Sequence, residues 1–392
     1  VIAHLRGPNL LIVFFVIAGQ AVLPFIPVIA QQMGLDAAAI GLLLSVQGLA
    51  GLVAIAPIGI WIGYWGAHRF AQWAAVGTLG AFLGLWLAPS HGMLLVSLIM
   101  LGACQMAQFM AGQMIVVTAE GDRARDHAVG MFLFYTSVGV TVGPLLGSVA
   151  IRAGGLDAVF VVGVAASAVA VASAFRLRPS DAAPALPPAR LLSGITPLTP
   201  PLRVSILTTG IGDFLYVAWS ILLPLAMTAA AQSPSVIGWA FALRGAMTMA
   251  VRPLLPALLA RFTRDGLVTV SLLALGGGFW LSTALTSILG LSLLGSALFG
   301  VGTGLIFPLS ILLLTSDVTG QRLPSLLSFR QFVGRMGQIA GPVLTGVLVT
   351  ANQSATAAGL GAISLGAALW LYGVPGARVD PGARSRYPRS ID

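Results

Sequence analysis

Apolar residues run along this chain in long stretches separated by short polar breaks. Twelve stretches reach the roughly 20 mainly apolar residues that a bilayer-crossing helix needs. They cover 9–32, 39–62, 70–89, 93–118, 129–151, 157–175, 204–230, 236–260, 267–286, 290–315, 325–350 and 355–374. Most connections are short, as between helices packed antiparallel. Residues 176–203 differ, holding seven of the 23 prolines together with Arg176, Arg178, Arg190 and Arg203. Proline and charge together disfavour a spanning helix there. The pattern therefore predicts an all-α membrane protein: an N-terminal six-helix bundle over 1–175, a cytoplasmic linker over 176–203, a C-terminal six-helix bundle over 204–375, and a tail over 376–392.

Composition sharpens this. Of 392 residues, 57% are hydrophobic and 8% charged, against about 25% charged in an ordinary soluble domain. Forty-eight glycines suit a bundle in which small residues let helices approach closely. One cysteine (Cys104), four histidines and one glutamate (Glu120) leave no disulfide framework and little for metal chemistry or paired-carboxylate hydrolysis. No enzyme activity, cofactor or metal is expected.

The net charge of +9 comes entirely from arginine against fewer acids. The arginines fall in breaks between apolar runs, which argues for a charge bias across a membrane and against nucleic acid. Fifteen lie on the side of the termini: Arg6, Arg69, Arg123, Arg125, Arg176, Arg178, Arg190, Arg203, Arg261, Arg264, Arg322, Arg378, Arg384, Arg386 and Arg389. Arg152 alone lies opposite. The positive-inside rule puts both termini in the cytoplasm of a multi-pass inner-membrane protein, expected to be a monomer. No cleavable signal peptide is expected, since the first apolar run is long enough to stay in the bilayer.

The chain also repeats. At an offset of 197, Pro27, Ile40, Gly41 and Gly48 match Pro224, Ile237, Gly238 and Gly245. At 198, Gly139, Gly143 and Pro144 match Gly337, Gly341 and Pro342. Two homologous halves imply a site at their interface near mid-membrane, opened to either side by rocking. Gly139, Gly143 and Gly147 sit at i, i+4 and i+8 beside Pro144, a smooth stripe next to a bend. This pattern resembles the helix-5 antiporter motif of the major facilitator superfamily, especially its 12-helix drug:proton antiporter branch. The resemblance implies alternating access, and a seal on the extracytoplasmic side that favours export.

The loop between the second and third spans departs from that family. Gly59, Gly66 and Arg69 fit its signature, but Gly63 stands at the expected acid and Tyr64 at a basic position. The usual cytoplasmic latch is therefore not expected in its ordinary form. The fourth span has no arginine around Leu98 to Gly102, where many proton-coupled relatives have one.

Polar groups inside spans are expensive and usually face the bundle interior. Asp213 shares a helix face with Thr209, Tyr216 and Ser220; Arg244, Thr248 and Arg252 form a second stripe; Gln331, Arg335 and Gln338 a third, with Arg330 nearer the cytoplasmic mouth. Gln20, Gln47, Gln105 and Gln108 add amides. A mid-helix arginine costs roughly 2.5–3.5 kcal/mol, so Arg244 and Arg335 call for a wet cavity or an acidic partner. A cavity with surplus positive charge suits a carboxylate or phosphate, which arginine grips by paired hydrogen bonds. The bland readings are headgroup snorkelling for Arg252 and Arg330, an ion pair with Asp213 for Arg244 or Arg335, and inter-helix glue for the glutamines.

The expected function is secondary transport of a small organic anion or amphiphile, with Asp213 as the proton-coupling candidate. A multidrug pump for lipophilic compounds is one alternative, and a non-transporting sensor or assembly partner another. The expected partners are a small solute, the bilayer, and a proton or counter-ion.

Overall fold

The computed structural model describes residues 2–87, 90–117, 122–177, 199–317 and 322–373. Glu120, the tail and residues 178–198 of the linker lie outside these. So do the side chains of Asp122, Arg123, Arg125 and Asp126, and the surroundings of Gly59. Among the described residues the chain forms α-helices and two short 3-10 turns, with no strand.

The first half holds α1 (Ile2–Val22), α2 (Ile26–Gln32), α3 (Ala37–Trp65), α4 (Ala67–Leu87), α5 (His91–Val117), α6 (Asp122–Gly154) and α7 (Ala158–Phe175). The second holds α8 (Pro200–Ala229), α9 (Pro234–Val251), α10 (Leu255–Arg261), α11 (Arg264–Ala284), α12 (Leu289–Asp317), α13 (Arg322–Ala351) and α14 (Gln353–Gly373).

Local chemistry sets the helix ends. The Asp36 carboxylate accepts from the Ala39 amide at 2.7 Å and opens α3. Gly66 closes it at φ +80°, a left-handed conformation in which glycine avoids the Cβ penalty. Thr263 opens α11 by accepting from the Gly266 amide.

Two stretches expected as single helices are each divided. A 3-10 turn at Leu23–Phe25 separates α1 from α2, and another at Arg252–Leu254 separates α9 from α10. Pro24 with Pro27, and Pro253 with Pro256, remove the amides that a continuous helix would use.

Ten helical stretches among the described residues are long and apolar enough to cross a membrane. The expected stretches 236–260 and 355–374 are not among them. The first is interrupted and carries Arg244 and Arg252; the second runs to 374, past the last described residue. Large apolar side chains such as Trp73 (74% exposed) and Leu369 (72%) cover the outside, a surface suited to lipid rather than water.

Within the first half, α1 packs on α6 and α7, while α4 packs on α5 and α7. In the second, α8 packs on α13, and α11 on α12 and α14. The halves meet where α3 lies on α13 and where α6 lies on α9. Both seams repeat one arrangement. Gly41 faces the Pro342 carbonyl and Gly48 the Gln338 carbonyl; Gly238 faces the Pro144 carbonyl and Gly245 that of Val140. Val140 and Gln338 each stand four residues before a proline, so their carbonyls lose the ordinary helical donor. The offset read from the sequence thus reappears as a duplicated interface.

The stripe of Gly139, Gly143 and Gly147 faces α1 at Val16, Gln20 and Ala21. Gly337 and Gly341 bring α13 equally close to α8 at Gly210 and Phe214.

Candidate functional site

Between the halves lies a cavity of about 330 Å³, with walls from α1, α3, α5, α8, α9 and α13. Its size is at the lower end for small-molecule sites. Gln20, Gln47 and Gln105 supply amides from the first half; Tyr216, Ser220, Arg335 and Gln338 supply polar groups from the second. Phe15, Phe109, Phe241 and Met106 complete an apolar surround. Gln47 donates to Gln105 at 3.4 Å, holding two of the amides together.

Arg335 is the cation on this wall. Its Nη1 donates to Gln338 Oε1 at 2.8 Å, and its Nη2 reaches the Met106 sulfur at 3.8 Å from the opposite half. Gln338 Nε2 in turn donates to Asp213 Oδ1 at 2.8 Å. Asp213 is 9% exposed and stands behind the wall. Among the described residues it forms no direct ion pair. Gln338 is therefore an amide bridge between a buried carboxyl and a cavity guanidinium. The Asp213 Oδ2 oxygen lies where a side chain at Gly334 would go.

Arg244 is 2% exposed and does not line the cavity. Its guanidinium carbon sits 4.5 Å from the Tyr216 ring centre, 5.2 Å from that of Trp219 and 5.5 Å from that of Phe241. Its Nε has no hydrogen-bond partner. Tyr216 and Phe241 also belong to the cavity wall, so one layer of aromatic rings joins Arg244 to that wall. Each cation–π contact is worth about 0.5–2 kcal/mol, an aromatic shelter in place of an acid. Trp219 packs in the core between Phe241 and Phe299, and donates to Ser282 at 2.9 Å.

The stripe of Arg244, Thr248 and Arg252 does not act as one face. Thr248 bonds the Gly300 carbonyl on α12, whereas exposed Arg252 donates to Ser137 on α6 at 2.8 Å. Steps of four residues drift about 40° each around a helix, and Arg252 already belongs to the 3-10 turn. The third stripe also divides. Arg335 and Gln338 reach the cavity, while Gln331 is exposed about one turn beyond it. Arg330 is buried, with its Nη2 donating to Ser310 Oγ at 2.6 Å.

Gln108 faces α4 instead of the cavity, accepting from Thr78 at 3.5 Å. Tyr135 packs on Phe134 away from the cavity lining. Arg69 is exposed beside the Gly66 turn. The apolar members of the wall escaped the sequence reading because nothing marks one phenylalanine within a span. Phe241 alone carried a signal, three residues from Arg244. A second void, of about 310 Å³, lies between α8, α11 and α14 among nearly wholly apolar side chains.

Long apolar helices, a lipid-suited exterior and a polar cavity shared by two halves define a membrane transport protein. The family description Major Facilitator Superfamily matches residues 9–223, and the chain belongs to that superfamily. Its fold is similar to a crystal structure of a mutant of the nucleoside transporter NupG, with a TM-score of 0.73 and 15% identity. That likeness covers 94% of this chain and 97% of the other. In all, 283 chains of solved structures match, while no curated protein does.

Proposed function

We propose that the protein moves a small organic anion by alternating access, in the direction of export. The observation that carries this reading is Arg335, a guanidinium on the wall of a cavity formed by both halves, its nearest acid held behind Gln338. A carboxylate or phosphate would take the Arg335 fork, while its apolar body contacts Phe15, Phe109 and Phe241. The outward direction is supported by the α6 glycine stripe beside Pro144, the feature that resembles the drug:proton antiporter branch. All twelve apolar stretches cross the inner membrane in this reading, with both termini cytoplasmic and the monomer as the working unit.

The test is flux in vesicles containing purified protein. Uptake or counterflow of a panel of organic anions should occur, and should disappear in Arg335→Ala. Anion flux that survives this substitution would remove the proposal.

A second reading has its own support. Gln20, Gln47 and Gln105 offer neutral donors and acceptors beside aromatic rings, which suits an uncharged hydrogen-bonding compound such as a nucleoside. Nucleoside flux indifferent to Arg335→Ala but abolished by Gln47→Ala with Gln105→Ala would favour it.

A further inference from the structure

The chain Arg335–Gln338–Asp213 contains one group with two equivalent settings. A primary amide has a donor end and an acceptor end of nearly the same shape, so a half-turn exchanges them at little steric cost. In the observed setting the donor end meets Asp213 and the acceptor end meets Arg335, each at 2.8 Å. That setting satisfies an ionised carboxylate, which only accepts.

A proton on Asp213 changes the requirement, because the carboxyl must then also donate. Oδ2 lies against Gly334, at a position that the Thr209 methyl also approaches. Oδ1 faces Gln338, where a half-turn of the amide presents Oε1 as the acceptor. The same turn points Nε2 at the Arg335 Nη1, donor against donor. Arg335 then keeps only its long contact with the Met106 sulfur and is free to bind in the cavity.

We propose that Gln338 is an amide switch through which protonation of Asp213 releases Arg335 to an anion. The proposal deepens the anion reading above and rests on it: the site loads anion and proton together. The proton comes from solvent, resides on Asp213 and leaves with the anion, with no covalent change. Outward movement of an accumulated organic acid would carry its proton out with it.

The charges around Asp213 fit this assignment. From α13, Arg335 and Arg330 act on it electrostatically, and Arg330 is held by Ser310 and the Phe307 carbonyl. From α9, Arg244 is stacked on aromatic rings. On its own helix the neighbouring ionisable group is Tyr216. On α11 the charges, Arg264 and Asp265, sit in the first turn. Arg335 is the cation joined to Asp213 through a reversible group.

The test reads Arg335 directly. Purified protein is labelled briefly with phenylglyoxal at acid and alkaline pH, and labelling of Arg335 is measured by peptide mass spectrometry relative to exposed Arg69. The Arg335-to-Arg69 ratio is expected to rise about fivefold or more on acidification, the lower end of coupling between linked sites. Asp213→Asn should keep the ratio high at both pH values, and Gln338→Leu should make it high and flat. Gln338→Met replaces the leucine variant if that fails to fold, and the wild-type ratio needs no variant. A flat wild-type ratio, or a pH response that persists in Asp213→Asn, overturns the switch. Benzoate added to the same reaction separates the two readings. Stronger protection of Arg335 at acid pH supports both. No protection by benzoate, with the pH response intact, supports the switch and overturns the anion site.

Discussion

Gly238 lies against the main-chain carbonyl of Pro144, so closely that a Cβ on the glycine would stand 2.5 Å from that oxygen. Gly41 meets the Pro342 carbonyl in the same way across the other seam. These two contacts set the distance between the halves and hence the width of the cavity. Backbone cannot yield as a flexible side chain does. Gly238→Ala and Gly41→Ala should each cost about 1–3 kcal/mol, the usual range for overpacking. Thermal unfolding of purified protein measures the loss, and vesicle flux should fall with it. Unchanged unfolding temperatures in both variants would mean that the seams separate freely.

Arg335 offers a graded prediction. Arg335→Ala should abolish saturable anion flux, while Arg335→Lys should keep part of it. Lysine preserves the charge but loses the planar fork. Flux kinetics should show a several-fold rise in KM for the lysine variant. Equal KM values in lysine variant and wild type would show that charge alone suffices.

Arg244 separates stability from function. Removing a buried charge in favour of an apolar group of similar size is often neutral or stabilising. Arg244→Met should therefore unfold at the same temperature or higher, while anion flux declines because the positive potential behind Tyr216 is gone. Wild-type flux in Arg244→Met would reduce the aromatic stack to packing.

Trp219 provides a control outside the cavity. Trp219→Phe removes the 2.9 Å hydrogen bond to Ser282 and leaves a gap beside Phe299. The expected cost is about 1–3 kcal/mol in stability, with substrate KM unchanged. A shifted KM would extend the site to the second aromatic layer.

Orientation has a simple readout. Both termini should be cytoplasmic, so a green fluorescent protein fused after Asp392 should fluoresce and alkaline phosphatase there should stay inactive. An active phosphatase fusion would reverse the assignment drawn from the arginines.

The site was legible to different depths. Arg335, Gln338, Gln47, Gln20 and Tyr216 stood out because each is a polar group in a lipid-length apolar run, and all five reach the cavity. Gln331 and Arg252 looked the same in sequence but end exposed. A cavity is finite along the helix axis, and periodicity carries no information about where it stops. Arg244 was expected in a wet cavity or beside an acid, yet it is buried behind the wall among aromatic rings contributed by its own and neighbouring helices.

Membrane character, helical class and the doubled pattern of glycine and proline are already written along the chain. Each follows from local composition: a bilayer requires long apolar runs with satisfied backbones, and close helix approach requires small residues. Which polar groups share a space follows from how the helices pack. The amide bridge from Arg335 to Asp213 joins α13 to α8 across 125 positions of chain at Gln338. The Met106 contact brings the other half to the same guanidinium. Such meetings depend on helix rotation and bundle packing, which no run of residues along one helix specifies.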